Sequence, residues 1–163
     1  MCIRDRFGVF VNDGTPSKMS YYQQVRTGAS WCSVGTGDEA VLEVALRNDA
    51  PADAANLPVS VTGPGTLVPR GTARTVSYLY LPEGSEVVTA ESTGPNVTPG
   101  FGQNSDAGRP VLTWETRLAP GEEAVARIRV RTPRTSLLDV FSTPTVPGQT
   151  TDSPPACSVY EAS

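Results

Sequence analysis

Three arginines in the second half of the chain have the spacing of a charged strand face. Arg127, Arg129 and Arg131 occupy alternate positions in the run AVARIRVR, and alternate residues of a β-strand point to the same side. A row of guanidinium groups could bind the carboxylate or phosphate of an acidic glycan or lipid head group. Ion pairs with acids on a neighbouring strand, such as Glu43, explain the pattern more simply and would discourage pairing at a sheet edge. The three arginines are therefore a weak candidate ligand patch.

Four aromatic residues are a second candidate surface. Trp31, Trp114, Tyr78 and Tyr80 could together form a platform on which sugar rings stack. Aromatic residues on strands more often lie in the core or in half-buried cross-strand pairs. We expect Trp114 in the core, because Leu112 lies on the same side of its predicted strand. Exposed rings in a row would indicate a carbohydrate-binding module, and buried tryptophans would count against one.

The residue types exclude several kinds of chemistry. The chain has no histidine, which rules out Ser–His and Cys–His nucleophiles and removes the commonest metal ligand. Glu122 and Glu123 are adjacent, so a strand would point them in opposite directions instead of pairing them for catalysis. Gly35–Thr36–Gly37 follows a predicted strand but precedes no helix, so it is not a phosphate loop. We therefore expect a non-enzymatic protein with no catalytic, metal or cofactor-binding residues and no cofactor.

Composition and charge narrow the class of protein and its partners. The 163 residues are enough for one domain, and 15 glycines with 15 prolines are typical of strands joined by turns. The net charge is −4, so neither nucleic acid nor an anionic membrane surface is an expected partner. The sequence shows no membrane-spanning run and no signal peptide.

The elements that must position these residues are alternating strands. In Glu39–Asn48, Leu42, Val44 and Leu46 point one way and charged or small residues point the other. Ala73–Leu81 and Ala124–Arg131 repeat the alternation. We predict that Leu42, Val44 and Leu46 share one core with Ile128 and Val130 and face them between sheets. Leu57–Thr62 is expected to be a short edge strand, and Glu91–Arg109 a mobile loop.

Short strands separated by turns predict the fold class. Seven to nine of them, spaced roughly 8–12 residues apart, are typical of an all-β, antiparallel, Ig- or fibronectin-like β-sandwich. Because pairing strands are far apart in sequence, we expect Greek-key crossings between the sheets.

Several segments resemble a known family. The chain contains VND at 11–13, SKMSYY at 17–22, RNDAP at 47–51, the segment Arg70–Gly84 and LAPGE at 118–122. Their order is similar to the C-terminal part of the large exported actinobacterial proteins grouped as domain of unknown function 4012, over most of Phe7 to about Thr145. Asp49 replaces the small hydroxyl residue usual in that family. The resemblance implies a membrane-anchored, extracytoplasmic parent protein and supplies no catalytic residues.

The resemblance also suggests how the chain divides into segments. Residues 1–6, MCIRDR, resemble translated sequencing-adapter read-through and are set aside, with an ordinary short N-terminus as the alternative. Residues 7–20 are expected to end a truncated upstream region. Residues 21–145 are expected to form the β-sandwich domain, and 146–163 a Pro/Ser/Thr-rich tail.

Two cysteines remain once Cys2 is set aside with the first six residues. An even pair in an exported chain favours a disulfide between Cys32 and Cys157. Cys157 lies in a tail with little apolar surface to hold it, and a cross-link would attach that tail to the first sheet. Two free thiols, one of them buried, are the alternative.

The expected function is therefore that of a non-enzymatic, extracytoplasmic module of a membrane-anchored cell-envelope protein. Its partner would be an envelope protein or a glycan, and it would meet the membrane only through an upstream anchor outside this sequence. The alternative is an accessory domain of an envelope-polysaccharide enzyme whose catalytic part lies upstream. The upstream gene sequence would separate the two, because only the second requires a catalytic constellation there.

Overall fold

A computed structural model describes residues 3–32, 38–145, 149–151 and 157, and two five-stranded sheets dominate it. Strands make up 53% of the described residues and helices 9%, far below the quarter that would contradict an all-β fold. The prediction of an all-β sandwich is confirmed.

Each sheet draws its strands from the whole length of the chain. The first sheet contains β1 Arg6–Asp13, β4 Ala73–Tyr80, β6 Gly102–Asp106, β7 Arg109–Leu118 and β9 Leu137–Ser142. The second contains β2 Gln23–Trp31, β3 Glu39–Asn48, β5 Glu86–Thr93, β8 Glu123–Arg131 and β10 Gln149–Thr151. The helical elements are α1 Val59–Thr62 and three 3-10 turns, Ile3–Asp5, Met19–Tyr22 and Ala54–Asn56.

The strand order shows how often the chain crosses between sheets. The orders are β6-β7-β4-β1-β9 and β10-β2-β3-β8-β5. Among the described strands, consecutive ones stay in one sheet only at β2–β3 and β6–β7, so most connections cross between the sheets instead of forming simple meanders. Pairing is antiparallel except for β1–β9 and β10–β2, which are parallel. Both exceptions lie at sheet edges, where a strand that arrives from the opposite sheet can be added in either direction.

One hydrophobic core lies between the sheets. Leu42, Val44, Leu46, Ile128 and Val130 are all fully buried in it, which confirms that they share one core. The expectation that they face each other between sheets is wrong, because β3 and β8 are neighbours in the second sheet and Leu42 pairs directly with Ile128. Alternation determines which side of a strand is buried, whereas sheet membership depends on tertiary pairing.

The opposite wall of the core comes from the first sheet. It consists mainly of Phe7, Val9, Leu79, Leu112 and Trp114. Trp114 is 0% exposed, as predicted, and it pairs with Ser77 on the neighbouring strand. The small Ser77 side chain leaves room for the indole between the sheets.

Two local expectations are wrong. Leu57–Thr62 contains the helical turn α1 instead of an edge strand, and Leu57 and Val61, four residues apart, both pack against a cluster around Met19. The segment Glu91–Arg109 is more ordered than a mobile loop, since β5 extends to Thr93 and it also contains β6. Ala107 and Gly108 adopt positive φ values of 49° and 83°, which closes the β6–β7 hairpin with a tight turn.

The sandwich begins earlier in the chain than the expected boundary at residue 21. β1 lies between β4 and β9 in the first sheet, and its Phe7 and Val9 are fully buried. Within the segment that was set aside, the Arg4 carbonyl accepts a hydrogen bond of 2.7 Å from the Glu83 amide. At the other end, β10 lies inside the expected tail.

Candidate functional site

The outward side of the first sheet carries an unusual group of rings. We call Phe10, Tyr78, Tyr80 and Phe141 the aromatic face. Because Phe7 and Val9 point into the core, the alternating Gly8 and Phe10 point out, where Phe10 pairs with Tyr78 and Gly8 pairs with both Tyr80 and Phe141.

The rings of the aromatic face pack at steep angles. The Phe10 and Tyr80 centroids lie 5.3 Å apart with the ring planes at 90°, and Phe10 lies 6.1 Å from Phe141 at 54°. Gly8 permits this packing, since a Cβ there would lie 3.0 Å from Cε2 of Phe10. Phe141 is 52% exposed, and the other three rings are half-buried.

A buried cation borders the aromatic face. The Arg109 guanidinium lies 5.2 Å from the centroid of Tyr80, within the range of a cation–π contact. Its Nε donates to the Leu81 carbonyl at 3.1 Å and its Nη2 to the Arg6 carbonyl at 2.8 Å. Burial lowers the pKa of Arg109. These bonds hold the side chain against the ring.

The outward side of the second sheet is charged instead of aromatic. Arg127, Arg129 and Arg131 lie there and pair with acids on the neighbouring strands. Arg129 Nε donates to Glu39 at 2.7 Å, and Arg131 lies 3.5 Å from both Glu39 and Glu86. Arg127 lies 4.0 Å from Glu43, the acid that the sequence had singled out.

These arginines form an ion-pair ladder with Glu39, Glu43 and Glu86. Each guanidinium already has a carboxylate within 4.0 Å, so the ladder balances its own charge and does not present a cationic patch to a ligand. Protection of a sheet edge is wrong as a role for it, because β8 lies between β3 and β5.

The less favoured interpretation, a sugar platform of Trp31, Trp114, Tyr78 and Tyr80, is not formed, because the two tryptophans lie away from the two tyrosines. Trp114 is in the core, stacked on Phe101 at 6.5 Å. Trp31 belongs to the second sheet, with the Arg134 guanidinium 4.4 Å from its ring centroid. Phe10 and Phe141 were not predicted to be part of a surface. The alternation in FGVFV was the available signal for Phe10.

The segments that carry the family resemblance meet at one end of the sandwich. Asn48, the last residue of β3, is 0% exposed. Its Nδ2 donates to the carbonyls of Gly71 at 3.0 Å and Leu118 at 2.9 Å, and its Oδ1 accepts from the Ala50 amide at 3.1 Å. Its backbone bonds to Gly121 and Glu122. One satisfied amide thus joins three of these segments.

The SKMSYY segment packs at the same end. Met19 is fully buried against Ala50, Ala54 and Ala73, and the Asp49 amide donates to the Tyr22 carbonyl at 3.0 Å. These segments therefore stabilise the contact between the two sheets at this end.

Two open cavities flank the segment Asn96–Gly102 near this end. The larger, about 620 Å³, has walls that include Leu67, Val97 and Arg117. The smaller, about 380 Å³, is lined in part by Phe101 and Glu115. The acid that lines the smaller cavity, Glu115, already has partners.

Glu115 accepts hydrogen bonds from two arginines. Arg74 donates to both of its oxygens, at 3.0 and 3.1 Å, and Arg117 donates twice to Oε1. The hydrogen bonds from Arg74 are the largest cause of a lowered pKa for Glu115. A carboxylate that is ionised and saturated in this way is a poor general acid or base.

A disulfide joins Cys32 to Cys157, with their Cα atoms 4.8 Å apart. Both residues are buried and form a small cluster with Val41. The bond attaches Cys157 beside the end of β2, which ends at Trp31.

The part of the chain that the structure describes contains no group of three His, Cys, Asp or Glu residues that could hold a metal ion. Within the same residues, no helix is long and apolar enough to cross a membrane. Cys2 and the Gly35–Gly37 segment lie outside the described residues.

Comparison of the chain with protein-family models and with curated proteins finds no match. The similarity to domain of unknown function 4012 therefore stays a prediction from the motifs.

Proposed function

We propose that this chain is a non-enzymatic, extracytoplasmic β-sandwich module of a membrane-anchored bacterial envelope protein, and that it acts through protein contacts made by the aromatic face. The observation that carries this proposal is the difference between the two outward surfaces. The second sheet balances its charges within the ion-pair ladder, whereas the first sheet leaves Phe141 more than half exposed beside Phe10.

The arrangement of the rings favours a protein over a glycan. Stacking of sugars needs accessible ring faces, but Tyr80 is contacted by Arg109 and by Phe10 at a right angle. Protein interfaces are enriched in Phe, Tyr and Arg, and their binding energy is concentrated in a few such residues. A partner surface with apolar side chains would fit the group of rings around Phe141.

The Cys32–Cys157 disulfide supports an extracytoplasmic location. Structural disulfides form and persist in oxidising compartments and are rare in the cytosol. The motif resemblance implies the same compartment and a membrane anchor in the parent protein. Mass analysis of alkylated, exported protein with and without reductant tests this part, since free thiols at both positions would remove its support.

Binding to separated envelope fractions tests the contact surface. We expect immobilised chain to bind the protein fraction, and Phe141→Ser to weaken that binding at least about tenfold, as loss of an interface anchor does. Leu67→Ser is the matched control, because Leu67 is similarly exposed, at 56%, but lies in a loop away from the aromatic face. Equal losses for both variants, or binding only to the polysaccharide fraction, would contradict the proposal.

A further inference from the structure

The larger of the two cavities, about 620 Å³, has the size of a small-molecule site, since ligand pockets measure roughly 300–1,000 Å³. Its lining comes mainly from two connections that are far apart in the chain, one between α1 and β4 and the other between β5 and β6. Arg117, near the end of β7, completes the lining together with Ala119. Most of the lining is apolar, from Leu67, Val68, Pro69, Val97, Pro99 and Ala119.

Both connections are held in place by backbone contacts. Val97 forms an antiparallel bridge with Thr116 of β7. In the other connection, the Thr72 amide donates to the Pro69 carbonyl at 3.0 Å, and both Val68 and Thr72 are buried. A site whose walls are already fixed loses little conformational freedom when a ligand binds. The cavity is therefore preformed.

One side chain in the lining is charged. Arg117 is 51% exposed, and its Nε and Nη2 donate to Oε1 of Glu115 at 3.1 and 3.0 Å. The same carboxylate is bound by Arg74, whose side chain is only 25% exposed. Two guanidinium groups thus share one carboxylate, which leaves the three side chains with a net positive charge. Of the three, Arg117 is the one that lines the larger cavity, so the surplus charge is available there.

The rest of the lining does not neutralise this charge. The lining residues that the structure describes include no Asp or Glu. Glu122, whose carboxylate accepts a hydrogen bond of 2.8 Å from the Ala119 amide, is not among them. The remaining polar side chains of the lining are neutral and belong to Thr72, Asn96 and Thr98. The cavity therefore combines apolar walls with one positive charge.

We propose that this cavity binds a small amphipathic carboxylate, with the carboxylate on Arg117 and the apolar part against Leu67, Val97 and Pro99. A guanidinium pairs with a carboxylate through strong, directional N–H···O bonds. The apolar part of the ligand adds affinity because it leaves water for the hydrophobic lining. None of the four rings of the aromatic face lines the cavity, so this binding is independent of the protein contact proposed above.

An NMR titration of the full chain with octanoate tests the proposal. Octan-1-ol has the apolar chain without the charge, acetate has the charge without the chain, and all three are kept below the concentrations at which they aggregate. We expect octanoate to cause saturable shifts of the Thr72, Val97 and Thr98 amides. Its affinity should be at least about tenfold higher than that of octan-1-ol, and acetate should cause no saturable shift there.

Variants of two arginines isolate the role of the charge. Arg117→Gln should lower the affinity for octanoate at least about tenfold, to that of octan-1-ol, and should leave the binding of octan-1-ol unchanged. Arg131→Gln is the matched control and should bind octanoate as the parent does, because Arg131 is 54% exposed and also pairs with glutamates, but on the second sheet. Phe141→Ser should bind octanoate like the parent too, so the cavity and the aromatic face can fail separately.

Four outcomes would overturn the proposal. Absence of octanoate binding, or equal affinities for octanoate and octan-1-ol, would mean that the cavity does not recognise a carboxylate. Acetate binding as tightly as octanoate would indicate an adventitious ion only. Equal losses of affinity in Arg117→Gln and Arg131→Gln would indicate a general effect of charge. Shifts confined to the aromatic face would mean that octanoate binds there instead.

Discussion

The side-chain amide of Asn48 donates a hydrogen bond to the carbonyl oxygen of Leu118, 2.9 Å away. Asn48 ends β3 in the second sheet and Leu118 ends β7 in the first, so this bond ties the two sheets together at one end. The same amide group also reaches Gly71. A single buried side chain therefore fixes the relative position of three connections.

Replacing Asn48 tests how much these hydrogen bonds stabilise the fold. Asn48→Ala leaves the carbonyls of Gly71 and Leu118 and the amide of Ala50 without their partner, and we expect the free energy of unfolding to fall by about 2–4 kcal/mol. Urea unfolding measures it. Gln24→Ala, which removes an exposed hydrogen bond to Asp49, is the control and should cost less than about 0.5 kcal/mol. Equal losses of stability for the two variants would show that the hydrogen bonds of Asn48 do not tie the two sheets together.

The core supplies a second stability prediction. Ile128 is fully buried opposite Leu42, and Ile128→Ala should lower the free energy of unfolding by about 2–4 kcal/mol through lost burial and a residual cavity. Val88, 40% exposed on β5, provides the control, because Val88→Ala should change stability by less than about 0.5 kcal/mol. A small effect at Ile128 would mean that the register of β8 is shifted by one residue.

The lowered pKa of Glu115 predicts how the stability of the fold changes with pH. Its pKa is lowered chiefly by hydrogen bonds from Arg74, so the folded state binds its proton less readily than the unfolded state does. The resulting stabilisation is fully present above the unfolded-state pKa of about 4.3. It is lost as the pH falls through the lower folded-state pKa.

The variant Glu115→Gln should therefore be less stable than the parent near neutral pH and should lose less stability between about pH 5 and pH 3. Urea midpoints measured across this range give the comparison. Glu91→Gln, an exposed change on β5, should follow the parent curve. Parallel curves for the parent and Glu115→Gln would show that the arginine contacts do not stabilise the fold.

Alternation carried most of the information about the fold. Leu42, Val44 and Leu46 lie on the buried side of β3 because a period of two leaves one side apolar, and this could be read without the structure. The sheet that each strand joins could not be read in the same way. Ile128 proved to be a neighbour of Leu42 because pairing depends on contacts between segments far apart in the chain.

The candidate surface was harder to predict than the core. Tyr78 and Tyr80 were recognised as aromatic residues on one strand, but their neighbours Phe10 and Phe141 come from opposite ends of the chain. Only the register of β1 between β4 and β9 brings these four rings together. Similarly, a row of arginines on β8 could be read as a strand face, but the acids of β3 and β5 that pair with it depend on the sheet order.

Site-specific photo-crosslinking in the cell envelope tests the proposed function most directly. A photoreactive phenylalanine analogue replaces Phe141 on the aromatic face in one variant, and the exposed Glu91 of the second sheet in the control. The proposal predicts discrete, protease-sensitive adducts from position 141 and none from position 91. Adducts of equal intensity from both positions, adducts that resist protease but are cleaved by glycosidases, or no adduct from position 141 would contradict it.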